Sequence, residues 1–296
     1  MQTKQQIQQL LSSAGVSPNK RFGQHFLIDL NLMRLLIDAA DIHGSDIVFE
    51  VGCGTGSLTE DLAEKAGKVI IAELDENLAR IASRQLAEKE NVQIINTDVL
   101  ENKNAIHNTV ADALGLARRE FSGRLMLVAN LPYGAASPVM LNLVTGPVIA
   151  DSMYVTVQKE VAERMTASPG GKHYGTLSIF LGATGETKTI RILKPSVFWP
   201  PPEVESAMVS FVRSKEKAKQ IRNMGVFGEV VNLFMQHRRK MLKACSKFAA
   251  DELAGIHDWS LIFEACAIDP HKRPEQLLPQ DYIAIANLCS QQLNQS

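Results

Sequence analysis

The sequence predicts an α/β fold: a Rossmann-like, mostly parallel sheet covered by helices on both faces, followed by a small helical domain. Three observations carry this expectation. Short apolar strand-like runs alternate with helical patterns through the first two thirds of the chain, the arrangement that builds parallel βαβ units. A glycine-rich turn, Gly52-Cys53-Gly54-Thr55-Gly56, follows the first such run and opens a helix. Beyond the charged break Arg213–Lys219 the patterning is helical with no β-rich run, which divides the chain into residues 1–213 and 214–296.

The elements follow in order. Residues 1–20 form a polar, helix-prone lead-in, continued by Lys20-Arg21-Phe22-Gly23-Gln24-His25-Phe26-Leu27. Asp29 can cap a helix running to Asp38, with Leu32, Leu35 and Leu36 on one face. Ile47–Val51 is a buried strand, and a helix begins near Ser57. Lys68–Glu73 is the second strand and 77–89 a helix. Val92–Asn96 is the third strand, ending at Thr97-Asp98, with a helix near Ala105–Arg118. The fourth, Leu125–Ala129, runs into Asn130-Leu131-Pro132-Tyr133. Val139–Val144 is helical, Ser152–Gln158 is the fifth strand and Lys159–Met165 a helix. Thr176–Gly182 and Ala207–Val212 read as further strands.

Composition bounds the class. The 296 residues suffice for a sizeable core, and 45% hydrophobic with 21% charged residues suits a soluble globular protein. Cys53, Cys245, Cys266 and Cys289 have no zinc-type spacing and cannot form a dense disulfide framework, so reduced thiols are expected. The first residues lack the apolar run of a signal peptide, and no stretch approaches the ~20 apolar residues of a membrane span. A cytoplasmic protein without membrane association is expected.

The glycine turn reads G-x-G-x-G, with Glu50 two positions ahead of Gly52. It is not the dinucleotide fingerprint G-x-G-x-x-G. A carboxylate there would repel a pyrophosphate but not the cationic methionine end of S-adenosylmethionine, which argues against a nicotinamide cofactor and for the methyl donor. Glu73, ending the second strand, suits a ribose diol. Asp98, after the third, suits the exocyclic amine of the donor's adenine. Either acid alone reads equally well as a cap or a solvated loop residue. Their register at successive strand ends, where open α/β sheets bind ligands, favours a site.

Asn130-Leu131-Pro132-Tyr133 closes the fourth strand. An adenine N6 amine is a poor nucleophile because its lone pair is delocalised into the ring. The Asn130 carboxamide oxygen and the Leu131 carbonyl can accept its two N–H groups. Pro132 stiffens the turn, and Tyr133 offers a face for a flipped base. Positioning then supplies the catalysis, with no metal required. An ordinary Asn–Pro turn would show the same letters; its place one strand beyond Asp98 sets this one apart.

Together these segments resemble the ribosomal RNA adenine dimethylases, specifically the small-subunit rRNA dimethyladenosine transferases. The similarity covers nearly the whole chain and rests on Arg21–Leu27, Glu50–Gly56, Glu73-Leu74-Asp75, Asp98, Asn130–Tyr133, Phe198–Ser206 and Gln236–Lys240. It implies a seven-stranded class I S-adenosylmethionine-dependent methyltransferase sheet with a small C-terminal helical domain. It also implies a G-Q-x-F-L segment folded over the donor, and donor contacts at His25, Leu27, Gly52, Glu73, Asp98 and Asn130, with Gly54 in the same loop. The implied reaction is dimethylation of two adjacent adenosines in a hairpin near the 3′ end of small-subunit rRNA. Gly134 and Glu203 depart from the Asn or Gln and the Lys common in the family, and the stretch between Asp98 and Leu125 is longer than usual.

The net charge of −1 conceals segregation. From Lys188 to Lys247 there are 13 Lys and Arg against four Glu and no Asp, which suits contact with an RNA backbone. Arg238, Arg239 and Lys240 are the best cluster for such contact, although a solvated helix face would look the same. Phe198 or Trp199 could supply a second stacking wall for the base, or only core packing. The expected partner is small-subunit rRNA in an assembling ribosomal subunit, and the expected state a monomer. A resistance-type methylase of large-subunit rRNA and an assembly factor acting by RNA binding are the alternatives.

Overall fold

The computed structural model describes residues 1–19 and 23–294; Lys20, Arg21 and Phe22 of the expected donor-covering segment lie outside the described residues. The chain forms two compact units, Met1–Ala162 with Lys188–Val212, and Glu163–Thr187 with Arg213–Ser296. The sequence placed one boundary at 213. In the structure, residues 163–187 pack with the C-terminal helices.

The first unit is built on β1 (Ile47–Val51), β2 (Lys68–Glu73), β3 (Val92–Asn96), β4 (Leu125–Asn130), β5 (Ser152–Gln158), β6 (Gly185–Leu193) and β7 (Ser206–Arg213). Their spatial order is 3-2-1-4-5-7-6. The strands from β3 through β5 pair in parallel. β7 runs antiparallel to β5, with Ser206 opposite Gln158 and Val212 opposite Ser152. The order steps outward in both directions from β1 and β4, so the carboxyl ends of these two strands flank the crevice where such sheets bind ligands.

Among the described residues, seven helices accompany the sheet: α1 (Lys4–Ser13), α2 (Leu30–Ala40), α3 (Ser57–Lys65), α4 (Glu76–Gln85), α5 (Asn108–Glu120), α6 (Ala136–Thr145) and α7 (Lys159–Met165). Strand alternation turns Val48, Val69, Ile71, Met126 and Val128 toward one face, where Leu36 of α2, Leu62 of α3 and Ala82 of α4 complete an apolar cluster. α5 packs against β1 and β2. Asp29 caps α2 as expected, accepting from the Asn31 and Leu32 amides at 3.0 and 3.1 Å. The fully buried face of that helix is Met33, Leu36, Ile37 and Ala40, shifted from the expected Leu32-Leu35-Leu36 stripe. A two-stranded hairpin, Leu100–Asn102 with Ala105–Ile106, occupies part of the long stretch before α5.

In the second unit, α8 (Thr176–Thr184), α9 (Met224–Gln236), α10 (Trp259–Ala265) and α11 (Pro279–Leu293) surround an aromatic core. Phe180 meets Phe227 edge-on at 5.1 Å, and Phe234 packs among Trp259, Phe263 and Tyr282. The Tyr282 hydroxyl donates to the Pro274 carbonyl at 2.8 Å. Thr176–Gly182, expected as a strand, is the body of α8. Its continuous apolar run fits a helix buried on nearly every side as well as a strand, and packing against α9 and α11 decides for the helix. β6 escaped the sequence reading because Glu-Thr-Lys-Thr-Ile-Arg is largely solvated, as edge strands are.

Candidate active site

A cavity of about 420 Å³ opens above the carboxyl ends of β1, β2 and β4. It is lined by ten residues that the sequence singled out: His25, Leu27, Gly52, Gly54, Glu73, Asp98, Asn130, Leu131, Pro132 and Tyr133. This size falls within the range of sites that enclose a cofactor-sized molecule.

The glycine loop shapes its floor. Gly52 and Gly54 adopt φ of 76° and 59°, a left-handed conformation that other residues reach only with strain. A Cβ on Gly52 would stand 3.1 Å from Pro132 Cγ, and one on Gly54 only 2.8 Å from Phe26 Cε1. Glycine is therefore required both for the turn and for the close approach of the tetrapeptide and the Phe26 ring.

Glu73 braces the loop from the sheet side. Its Oε2 accepts from the Gly54 amide and its Oε1 from the Asp75 amide, each at 3.0 Å. Burial pushes the Glu73 carboxyl above the usual carboxylate range, with the two amide bonds opposing that shift. Glu50, 2% exposed, accepts from Thr59 Oγ1 at 2.7 Å and also lines the cavity. Burial, with the neighbouring Glu73 adding to it, pushes Glu50 up to about 8. Burial thus favours the neutral form of the acid expected to attract a cation. Asp98 is exposed and combines both of its readings: Oδ1 caps the Leu100 amide at 3.0 Å, and the residue borders the cavity.

Asn130 occupies the end of β4. Its Nδ2 donates to the His25 carbonyl at 2.8 Å, which fixes the amide plane. Among the described residues its buried Oδ1 has no hydrogen-bond partner, a costly state for an acceptor unless a ligand supplies the donor. The Leu131 amide donates to the Thr156 carbonyl at 3.0 Å, and the Ala135 amide closes the turn on the Pro132 carbonyl at 3.0 Å. The Tyr133 hydroxyl is within 2.9 Å of Ser206 Oγ, and its ring stacks on His25 with centroids 5.5 Å apart. His25 Nδ1 lies 2.7 Å from the Pro200 carbonyl.

Phe198 does not join them. It is 2% exposed and belongs to the apolar core. Its backbone pairs with Leu27, and alternation along Phe198–Trp199 sends the phenyl ring inward, so it presents no face to a base. The half-buried Trp199 stacks on Phe26 at 6.2 Å instead. The basic cluster lies in the second unit, just beyond α9. Arg238 is held by Glu275 at 3.0 Å, whereas Arg239 and Lys240 are exposed. The sequence reading missed Phe248, which is 50% exposed. It stacks on His237 at 4.1 Å, with Lys240 Nζ 5.6 Å from its centroid. Gln2 and Ile7 were missed as well. The apolar spacing of Ile7 and Leu11 behind a Thr3-to-Gln6 capping box was the available signal. Gly134 has open space where a Cβ would stand, and Glu203 is exposed, so neither departure disturbs the packing.

A seven-stranded sheet in this order, with a glycine loop after its first strand, is the fold of the class I methyltransferases. Solved structures carry the same fold: a dimethyladenosine transferase from Plasmodium falciparum superposes with a TM-score of 0.70 over 90% of this chain and 98% of that one, at 23% identity. The 23S rRNA methyltransferase ErmE superposes with a TM-score of 0.61 over 90% and 99%, at 18% identity. The ribosomal RNA adenine dimethylase family model matches residues 15–272. The small-subunit rRNA methyltransferase A of Alkaliphilus metalliredigens is 38% identical over 90% of both chains, and that of a Geobacillus species 34% over 96% of both. The chain belongs to the ribosomal RNA adenine dimethylase family.

Proposed function

We propose that this protein transfers methyl groups from S-adenosylmethionine to the N6 amines of two adjacent adenosines in a hairpin near the 3′ end of small-subunit rRNA, within an assembling subunit. The observation that carries the reading is the buried Oδ1 of Asn130, which has no partner among the described residues. It is a preplaced acceptor on a fixed amide in the lining of a cavity of cofactor size.

The fit to the donor rests on the chain's own geometry. The glycine loop lets a ligand approach the backbone closely, Glu73 would hold the ribose, Asp98 would hold the adenine amine, and Glu50 is a buried acid that a cation would stabilise in its charged form. When bound, the donor supplies a methyl group on a cationic sulfur that accepts the bonding electron pair as the amine attacks. Asn130 Oδ1 and the Leu131 carbonyl accept the two N–H groups of N6, turning its lone pair out of conjugation. The tie from Leu131 to Thr156 holds the peptide against recoil, and Ser206 holds the Tyr133 ring in place for the base. One N–H remains after the first transfer, so a single acceptor suffices to orient the amine for the second. The proton lost in each round passes to water. Arg239 and Lys240 would supply RNA contacts in the second unit, with the half-exposed Phe248 beside Lys240; Arg238 is held by Glu275.

The test is incubation with methyl-labelled donor and small ribosomal subunits lacking the modification, followed by nucleoside analysis. Dimethyladenosine on the small subunit is expected. Label on large subunits alone would move the assignment to a resistance-type methylase. Tight subunit binding without label would move it to an assembly factor.

A further inference from the structure

The glycine loop is held from two sides, and the second side belongs to the N-terminal arm. Gln2 is 7% exposed and makes three hydrogen bonds to the loop and the start of α3. Its Nε2 donates to the Thr55 carbonyl at 3.1 Å, its Oε1 accepts from Thr55 Oγ1 at 2.7 Å, and its backbone amide donates to Ser57 Oγ at 2.8 Å. Thr55 is fully buried, and Ser57 and Thr55 both line the cavity. Glu73 fixes the Gly54 amide from the sheet. Gln2 fixes the next residue from the opposite direction, and its reciprocal amide–threonine pair satisfies both a buried hydroxyl and a buried carbonyl.

The same arm also walls the cavity. Thr3 begins α1, with its hydroxyl accepting from the Gln6 amide. One turn on, Ile7 is fully buried and lines the cavity. Ile7 and Leu11 pack on Leu78 and Ile81 of α4, together with Phe26 and Trp199. The N-cap of α4, Asp75, receives Gln24 Nε2 at 3.0 Å. A ligand filling the cavity against Ile7 therefore presses on the element that carries Gln2.

We propose that Gln2 is a positioning residue for the methyl donor. It sets the Thr55 side of the glycine loop, and donor binding and the ordering of α1 are coupled through it. A loop with three left-handed glycines loses much freedom when it closes on a ligand, and an external brace removes that cost before binding. The inference rests on the methyltransferase reading. Its test must therefore first show that the unaltered protein binds S-adenosylmethionine or S-adenosylhomocysteine by calorimetry; a failure there would undo that reading, not this one.

Gln2→Leu keeps the bulk and removes the side-chain bonds, and is expected to weaken donor affinity about 10-fold. Thr55→Val removes the other end of the pair. If the two act as one unit, the double variant is no weaker than the worse single variant, whereas independent effects would multiply. Hydrogen exchange supplies a readout free of turnover: S-adenosylhomocysteine should slow exchange across 4–13 in the unaltered protein and much less in Gln2→Leu. Leu114→Ala on α5, remote from the cavity, controls for loss of stability and should bind donor normally. Donor affinity within twofold of normal in Gln2→Leu, or exchange in α1 indifferent to ligand, would overturn the proposal.

Discussion

Asn130 spends its nitrogen on the His25 carbonyl and leaves its oxygen to the substrate, so Asn130→Ala removes an acceptor that works on the reacting amine. Removing one preorganised hydrogen-bonding group at a reacting atom lowers kcat by roughly 10²–10³. Single-turnover methyl transfer should fall by that much, with a far smaller change in donor affinity by calorimetry; equal losses in both would make Asn130 a donor-binding residue alone. Glu50 allows a second prediction. Its folded value of about 8 lies above the ordinary 4.5, so between those limits the folded protein holds a proton that the unfolded chain has lost. The stability due to this group is complete below pH 4.5 and disappears as pH rises toward about 8, with a slope of up to about 1.4 kcal/mol per pH unit. Denaturant unfolding from pH 5 to 8.5 should show this decline, and Glu50→Gln should flatten it. Donor affinity should rise over the same interval, because a cation pairs with the charged form; an affinity independent of pH would separate Glu50 from the donor.

The glycine loop is the element on which the site depends, and its Gly54 separates experimentally from Gly134 beyond the tetrapeptide. Gly54→Ala places a Cβ 2.8 Å from the Phe26 ring at a φ of 59°, so the loop or the ring must shift. A stability loss above about 1 kcal/mol is expected, together with weakened donor binding. Gly134→Asn meets open space and should change stability by less than about 0.5 kcal/mol, measured in the same melts. The elements also show how much was legible in the sequence. β1 to β5 were readable because each is a short apolar run bounded by turn residues, and the cavity residues were readable because chemistry concentrates at the ends of such strands. α8 was read as a strand because an all-apolar segment has no period to distinguish helix from strand. Phe198 was misplaced because a two-residue strand does not reveal which of two neighbouring aromatics turns inward. Gln2 carried no signal, since a buried glutamine looks like any polar residue until its partner 53 positions away is known.

At the scale of the molecule, a net charge of −1 gives no general attraction to RNA, so binding must depend on a few placed cations. Arg239 and Lys240 are exposed, Lys240 over the Phe248 ring, while Arg238 is committed to Glu275. Each exposed cation that neutralises a phosphate releases counterions and adds roughly 0.7–0.9 to the slope of log affinity against log salt. Replacing both Arg239 and Lys240 with alanine should therefore reduce that slope by about 1.5 for a small-subunit RNA hairpin. Affinity should be lost most at low salt, and calorimetric binding of the methyl donor should not change. Arg238→Ala should behave differently: it leaves Glu275 without its partner and should lower the thermal stability of the protein while keeping nearly the full salt slope. Filter binding from 50 to 300 mM salt distinguishes the two patterns. A slope unchanged in the double variant would mean that the basic cluster next to α9 is only a solvated face, and that RNA is held through other cations of the chain.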